Sequence, residues 1–318
     1  SVVVTGTPQL TLENGSSDAI ANYSSGSGSS ALLFTYTVSA GDNSTDLDYT
    51  ATNSLALNSG TIKDSAGNAA TLTLSAPGAS GSLGSSMDIV IDTTAPTISS
   101  FVMDDTALFT GDTSTATITF SEAVTAFSNA DITTIENGTL STLSSADSGV
   151  TWTGTFTPSA DTTDATNVMT LGTSWTDVAG NAYAGAALNT ANYTVDTDAA
   201  TATIALADSA LKIGETSLVT ITFSEAVTGF ASADDVTVEN GSLSAMSSAD
   251  SGVTWTGTFT PSADTTDATN VITLANSYTD AAGNTGTAAT SSNYTIDTVL
   301  PTISSFVMDD TALFTGDT

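Results

Sequence analysis

Carboxylates are almost the whole chemical inventory of this chain. Its 318 residues carry 34 Asp and Glu, two basic side chains (Lys63 and Lys212), and neither His nor Cys. Without imidazole or thiol there is no Ser-His or Cys-His nucleophile, and two lysines offer little to Schiff-base chemistry. A pair of carboxylates can hydrolyse a glycoside. Here, however, the acids sit at equivalent positions in successive stretches of chain, which suits a structural element used many times better than one active site. The absence of Cys removes disulfides and thiolate metal sites together. Oxygen coordination remains: Ca2+ takes six to eight oxygens from carboxylates, amide carbonyls, backbone and water. A net charge of −32 attracts cations and repels nucleic acid and anionic membranes. The plainer reading is that the acidity only keeps an extracellular or salt-adapted protein soluble.

The acids come as a repeating set. Glu122 and Glu225 stand 103 positions apart, as do Asp177 and Asp280, Asn181 and Asn284, and Trp152 and Trp255. Residues 144–168 and 247–271 are the same 25 letters, and residues 96–113 return unchanged as 301–318. A period near 100 residues is a domain period, longer than the 20–50 residues of solenoid units. We therefore expect a divergent module over 1–91, repeats over 92–195 and 196–296, and the start of a further repeat over 297–318. The chain begins at Ser1 without Met or signal peptide, and both ends read as cut from a longer repetitive protein. It contains no run of about 18 apolar residues that would span a bilayer.

Positioning these acids falls to strands. In the second module, alternation and turn chemistry predict strands near 97–103, 115–120, 131–136, 139–144, 150–157, 167–173 and 190–196. Asn137-Gly138 and Asn240-Gly241 read as tight hairpin turns. Seven short strands in about 100 residues, with no helical period, predict an all-β immunoglobulin-type antiparallel sandwich. In the first module, 31–38 and 86–91 read as strands and 23–30 as a flexible loop, while Asp42, Asp46 and Asp48 crowd one turn. The joints at Asp92, Asp196 and Asp297 are short and lack a Gly/Ser spacer, which favours an elongated rod.

Several motifs together carry a family resemblance: ITFSEAVT at 118–125 and 221–228, TDVAGN or TDAAGN before the last strand, YTVDT or YTIDT closing it, and DTTAP at the joint. The set resembles the bacterial Ig-like repeats of very large secreted adhesins and biofilm-associated surface proteins. It covers the second and third modules fully and the first through GDNSTDLDYT, KDSAGN and VIDTTAP. The resemblance implies an extracellular stalk with calcium at its joints. The joint at 196–200 lacks the usual proline.

Following the strands up and down a sandwich brings Glu122, Asp147, Asp177 and Asn181 to one pole, where the incoming joint adds Asp92. The next joint gathers Asp196, Glu225, Asp250, Asp280 and Asn284 in the same way, and Asp297 opens another. Asp104, Asp105, Asp112, Asp161 and Asp164 fall at the opposite pole. Junctions this acidic need cations or they repel themselves. Against a metal stands the turn chemistry of Asp and Asn, for which D-x-A-G-N suffices alone. Asp64 and Asn68 repeat that motif in the first module.

The Thr ranks 115/117/119 and 151/153/155/157 resemble those of ice-binding surfaces but read as the solvent face of strands. Trp152, Trp175 and Trp255 read as core. The expected role is mechanical, with calcium ions, other copies of the chain and, through regions elsewhere, a host or matrix ligand as partners. A glycan-binding or protein-binding module and a self-assembling filament subunit are the alternatives.

Overall fold

The computed structural model describes every residue except Ser16, Asp310, Leu313 and Thr318. The chain is built almost entirely of β-strands, arranged as Ig-like modules in tandem. In the second module one antiparallel sheet runs Gly138–Leu140, Thr151–Pro158, Ser114–Phe120, Ile98–Met103. Alternation sends Ala116, Ile118 and Phe120 into the core and Thr115, Thr117 and Thr119 outward. Facing it are Thr163–Asn167, Tyr193–Asp196 and Ala107–Phe109, with Ile132–Ile135, Met169–Leu171 and Leu188–Asn189 beside them. Phe156, Tyr193, Met169, Leu171 and Trp175 fill the space between. The third module repeats the plan around Phe259, Tyr294, Ile272, Leu274 and Tyr278.

The Asn-Gly pair is not a hairpin. Ile132–Ile135 and Gly138–Leu140 belong to different sheets, and Asn137, at φ 48°, carries the chain from one to the other. Its amide donates to Asn167 Oδ1 at 2.6 Å and Asp164 Oδ2 at 2.9 Å. Gly138 is required by packing: a Cβ there would stand 2.2 Å from Cζ of Phe156. The sequence signal for a left-handed residue was right, and its use as a hairpin was not. Among the strands that escape the alternation reading are Ala107–Phe109 and Thr163–Asn167. Both pair with Tyr193–Asp196, the first in parallel.

The first module has a smaller core of Leu12, Ala21, Leu47, Tyr49 and Ile91. Ala19–Ser25 pairs with Gln9–Glu13 through residues 19–22 and with Leu33–Thr35 through residues 22–25, so residues 23–25 are strand rather than loop. Only Leu33–Thr35 of the expected 31–38 strand forms, and 86–91 forms none, keeping one bridge from Ile91 to Ser44. A β-prone run becomes a strand only where a neighbour offers its edge. The 86–91 run keeps only isolated bonds to 44–47, among them Leu47 N–H to the Ile89 carbonyl at 2.8 Å, and Met87 and Val90 are left 63% and 67% exposed.

Candidate metal centres at the module joints

The joint is assembled by a two-residue pairing. Val124–Thr125 pairs with Thr176–Asp177, Val124 opposite Asp177, which sets Asp177 beside the turn that carries Glu122. Asp177 is 1% exposed, and its Oδ1 accepts the N–H groups of Gly180 at 2.7 Å and Asn181 at 2.8 Å. Its Oδ2 accepts the Asn181 amide at 2.8 Å. Gly180, at φ 96°, supplies the left-handed residue that closes this turn. The same amide reaches the incoming linker, donating to the carbonyls of Asp92 at 3.1 Å and Thr94 at 3.4 Å. Asp280 and Asn284 repeat the arrangement on the carbonyls of Asp196 and Asp198. The turn reading of D-x-A-G-N therefore holds for both, and the turn doubles as a socket for the linker.

The geometry also brings the acids together. One carboxylate oxygen from each of Asp92, Glu122 and Asp177 lies within 4.8 Å of the others, and Asp196, Glu225 and Asp280 form the same group. Burial, then the charges of Asp92 and Asp177, push the Glu122 carboxyl above the usual range. Burial, then Asp280, Asp196 and Asp198, do the same to Glu225. No lysine relieves either group: the one ion pair among the described residues joins Lys212 to Glu215 at 3.9 Å. A donor set of three carboxylates is hard, anionic and all oxygen. Oxygens bound to one Ca2+ at about 2.3–2.6 Å stand at most about 5 Å apart, so the spacing fits that ion.

Other acids expected here belong elsewhere. Asp147 holds its own turn, its Oδ1 accepting Ser145 Oγ and Thr151 N–H, both at 2.8 Å. Those bonds, led by that from Thr151, draw its carboxyl down to about 2. Asp250 does likewise with Ser248 and Thr254. Among the described residues the acids of the opposite pole form no such group. Asp104 accepts from Ser114 Oγ and Thr115 N–H, Asp105 from Ala107 N–H, Asp112 from Phe109 N–H, and Asp164 from Thr166 N–H. Asp105, Asp112 and Asp164 cap local turns, the competing use that short polar side chains have for their oxygens, while Asp104 bonds across to the start of the neighbouring strand Ser114–Phe120. Asp64 and Asn68 close their turn identically but join no triad among the described residues. Asp297 accepts Thr266 Oγ1 at 3.0 Å. It joins no acidic triad among the described residues.

Two contributors were missed. Asp198, where the first joint has Thr94, adds a fourth carboxylate to the surroundings of Glu225; the change from DTT to DTD was its only signal. Asn43 accepts Thr93 N–H at 2.9 Å and Thr94 Oγ1 at 3.1 Å, tying the first module to the first linker.

A model of the bacterial Ig-like domain matches residues 92–195 and 196–296, and the chain belongs to that family. No curated protein matches it. Among solved structures it is similar to FdeC, an adhesin of Escherichia coli, at 12% identity over 93% of this chain and 85% of that one, TM-score 0.36. InvE, an adhesin of Yersinia pseudotuberculosis, matches at 18% identity over 62% and 58%, TM-score 0.26. The I9-I11 tandem of titin matches at 10% identity over 94% and 93%, TM-score 0.23. Among the described residues no helix is long and apolar enough to cross a membrane.

Proposed function

We propose that this chain is a stalk segment of a large extracellular bacterial surface protein of the adhesin type, stiffened by calcium at its joints. Its role is mechanical rather than catalytic: it holds a distal end away from the cell. One observation carries the reading. Each triad joins an aspartate at the joint, Asp92 or Asp196, to two acids of the module that follows, with no basic side chain to balance them. Calcium bound there supplies that balance and ties linker to module. Asp92 comes from the linker and Asp196 from the end of the strand that leads into it, Glu122 and Glu225 from the turn after the Phe-ending strand, and Asp177 and Asp280 from the closed turn. Asn181 and Asn284 hold the linker in register. Extracellular calcium modules bind in the range of about 10⁻⁴–10⁻³ M, so the joints fill outside a cell and empty inside it. Calorimetric titration of the chelator-treated chain with CaCl2 tests this. Two sites are expected, one lost in Asp177→Ala and the other in Asp280→Ala; absence of binding heat at millimolar Ca2+ overturns it.

Self-association is a second reading, favoured by one observation. Ile303 and Phe306 are 88% and 90% exposed, while Ile98 and Phe101, their counterparts in the copied segment, pack in a core. Such a segment offers a strand to another chain. Sedimentation at rising concentration tests it; a monomer throughout rules it out for this segment.

A further inference from the structure

The two joints share a linker and a turn but are not equally closed. At the second, Phe109 and Thr110 reach the closed turn of the next module. Thr110 N–H donates to Asn284 Oδ1 at 2.8 Å, and Thr110 Oγ1 to the Thr197 carbonyl at 3.1 Å. The Phe109 ring covers Gly283, where a Cβ would stand 3.7 Å from Cε2 and Cζ. At the first joint the matching turn is bare: a Cβ on Gly180 would meet nothing within 4 Å. An open apolar cleft lined by Val38, Val90 and Val178 lies there instead, with Val178 71% exposed.

We infer that Phe109 and Thr110 form a direct latch that fixes the second module on the third without help from an ion, and that the first joint, lacking it, is the pliable one. Asn284 is 2% exposed, so losing Thr110 takes a partner from a buried acceptor, which is costly. Because the contact joins module to module rather than module to linker, it sets an angle. The third module carries Lys212 and Ile213 in place of Phe109 and Thr110, yet its strand makes the same parallel pairing, Lys212 opposite Asp297 as Phe109 is opposite Asp196. The latch residues are therefore separable from the fold.

The chain has no Cys, so spin labels can be set at exposed Ser24, Thr155 and Thr258. Pulsed-EPR distances between Ser24 and Thr155 report the first joint, and those between Thr155 and Thr258 the second. In excess EDTA the second distribution is expected to be the narrower. The double change Phe109→Lys, Thr110→Ile should widen it to match the first, and Phe109→Ala, which leaves the strand pairing intact, should widen it in part. A second joint as broad as the first, or one left unchanged in both variants while their melting curves match the parent, overturns the latch. Narrowing of the first joint by Ca2+ bears only on the calcium reading, so the two claims fail separately.

Discussion

The Asn181 amide donates to the Asp92 carbonyl at 3.1 Å, and its repeat Asn284 donates to the Asp196 carbonyl at 2.8 Å, so each linker hangs on the turn of the module it enters. Truncating either asparagine removes the bond to the linker and the bond to its own aspartate together. Asn284→Ala should cost about 1–3 kcal/mol, the penalty for stranding buried polar groups, and Asn181→Ala less, because its turn faces open space. Urea unfolding of the two variants checks the order; equal losses would contradict it.

Glu122 and Glu225 respond to their neighbours' charge with opposite signs in the two cation conditions. In EDTA at pH 7, Glu122→Gln or Glu225→Gln should raise the melting temperature by removing a repelled charge; in millimolar Ca2+ it should lower it by removing a ligand. A folded carboxyl held above its ordinary value binds its proton more tightly than the unfolded one. That contribution is complete below the ordinary glutamate range and fades as pH rises through the folded value. Without cations, stability should therefore fall on this limb as pH rises above about 4.3, and the Gln variants should flatten it.

Acid should act through the hydrogen-bonded aspartates with the reverse sign. Asp147 is drawn from 3.8 to about 2, and Asp250, Asp104 and Asp64 are also lowered. Their contribution is complete above the ordinary aspartate range and lost as pH falls toward the folded values. Asp147→Asn should reduce the dependence of the melting temperature on pH between 4 and 2.

Tyr193 and Tyr294 each donate a hydroxyl to a backbone carbonyl, of Glu136 and Glu239, at 2.5 Å. Burial pushes both phenols up to about 12. The native state therefore keeps protons that the unfolded chain releases, and stability should decline from pH 10 upward through about 12. Tyr193→Phe should cost about 1–3 kcal/mol at neutral pH by leaving a carbonyl unpaired, and should soften that alkaline decline. Melting curves at pH 7 and 10.5 separate the two effects.

The modules and both triads were legible because the chain repeats itself: letters that recur 103 positions apart fold into bonds that recur at the same offset, as Asn137 to Asn167 and Asn240 to Asn270 show. What escaped has physical causes. Ala107–Phe109 is too short to alternate, and Thr163–Asn167 is polar because only one of its inward side chains, Asn167, is buried. Asp147 and Asp104 were sent to the poles by a path that tracks strands but not side-chain bonds, and a neighbouring N–H claims each carboxylate first. The first module gave least, since 86–91 has a strand's composition but keeps only isolated bonds to 44–47.

The most direct test of calcium-stiffened joints is small-angle scattering with a parallel thermal melt, first in millimolar Ca2+ and then in excess EDTA. The account predicts a larger maximum dimension and a higher melting temperature with Ca2+, both reduced in Asp92→Ala, Glu122→Ala or Asp177→Ala. Identical scattering and melting in the two buffers would contradict it, leaving the acids as turn formers and a solubility coat.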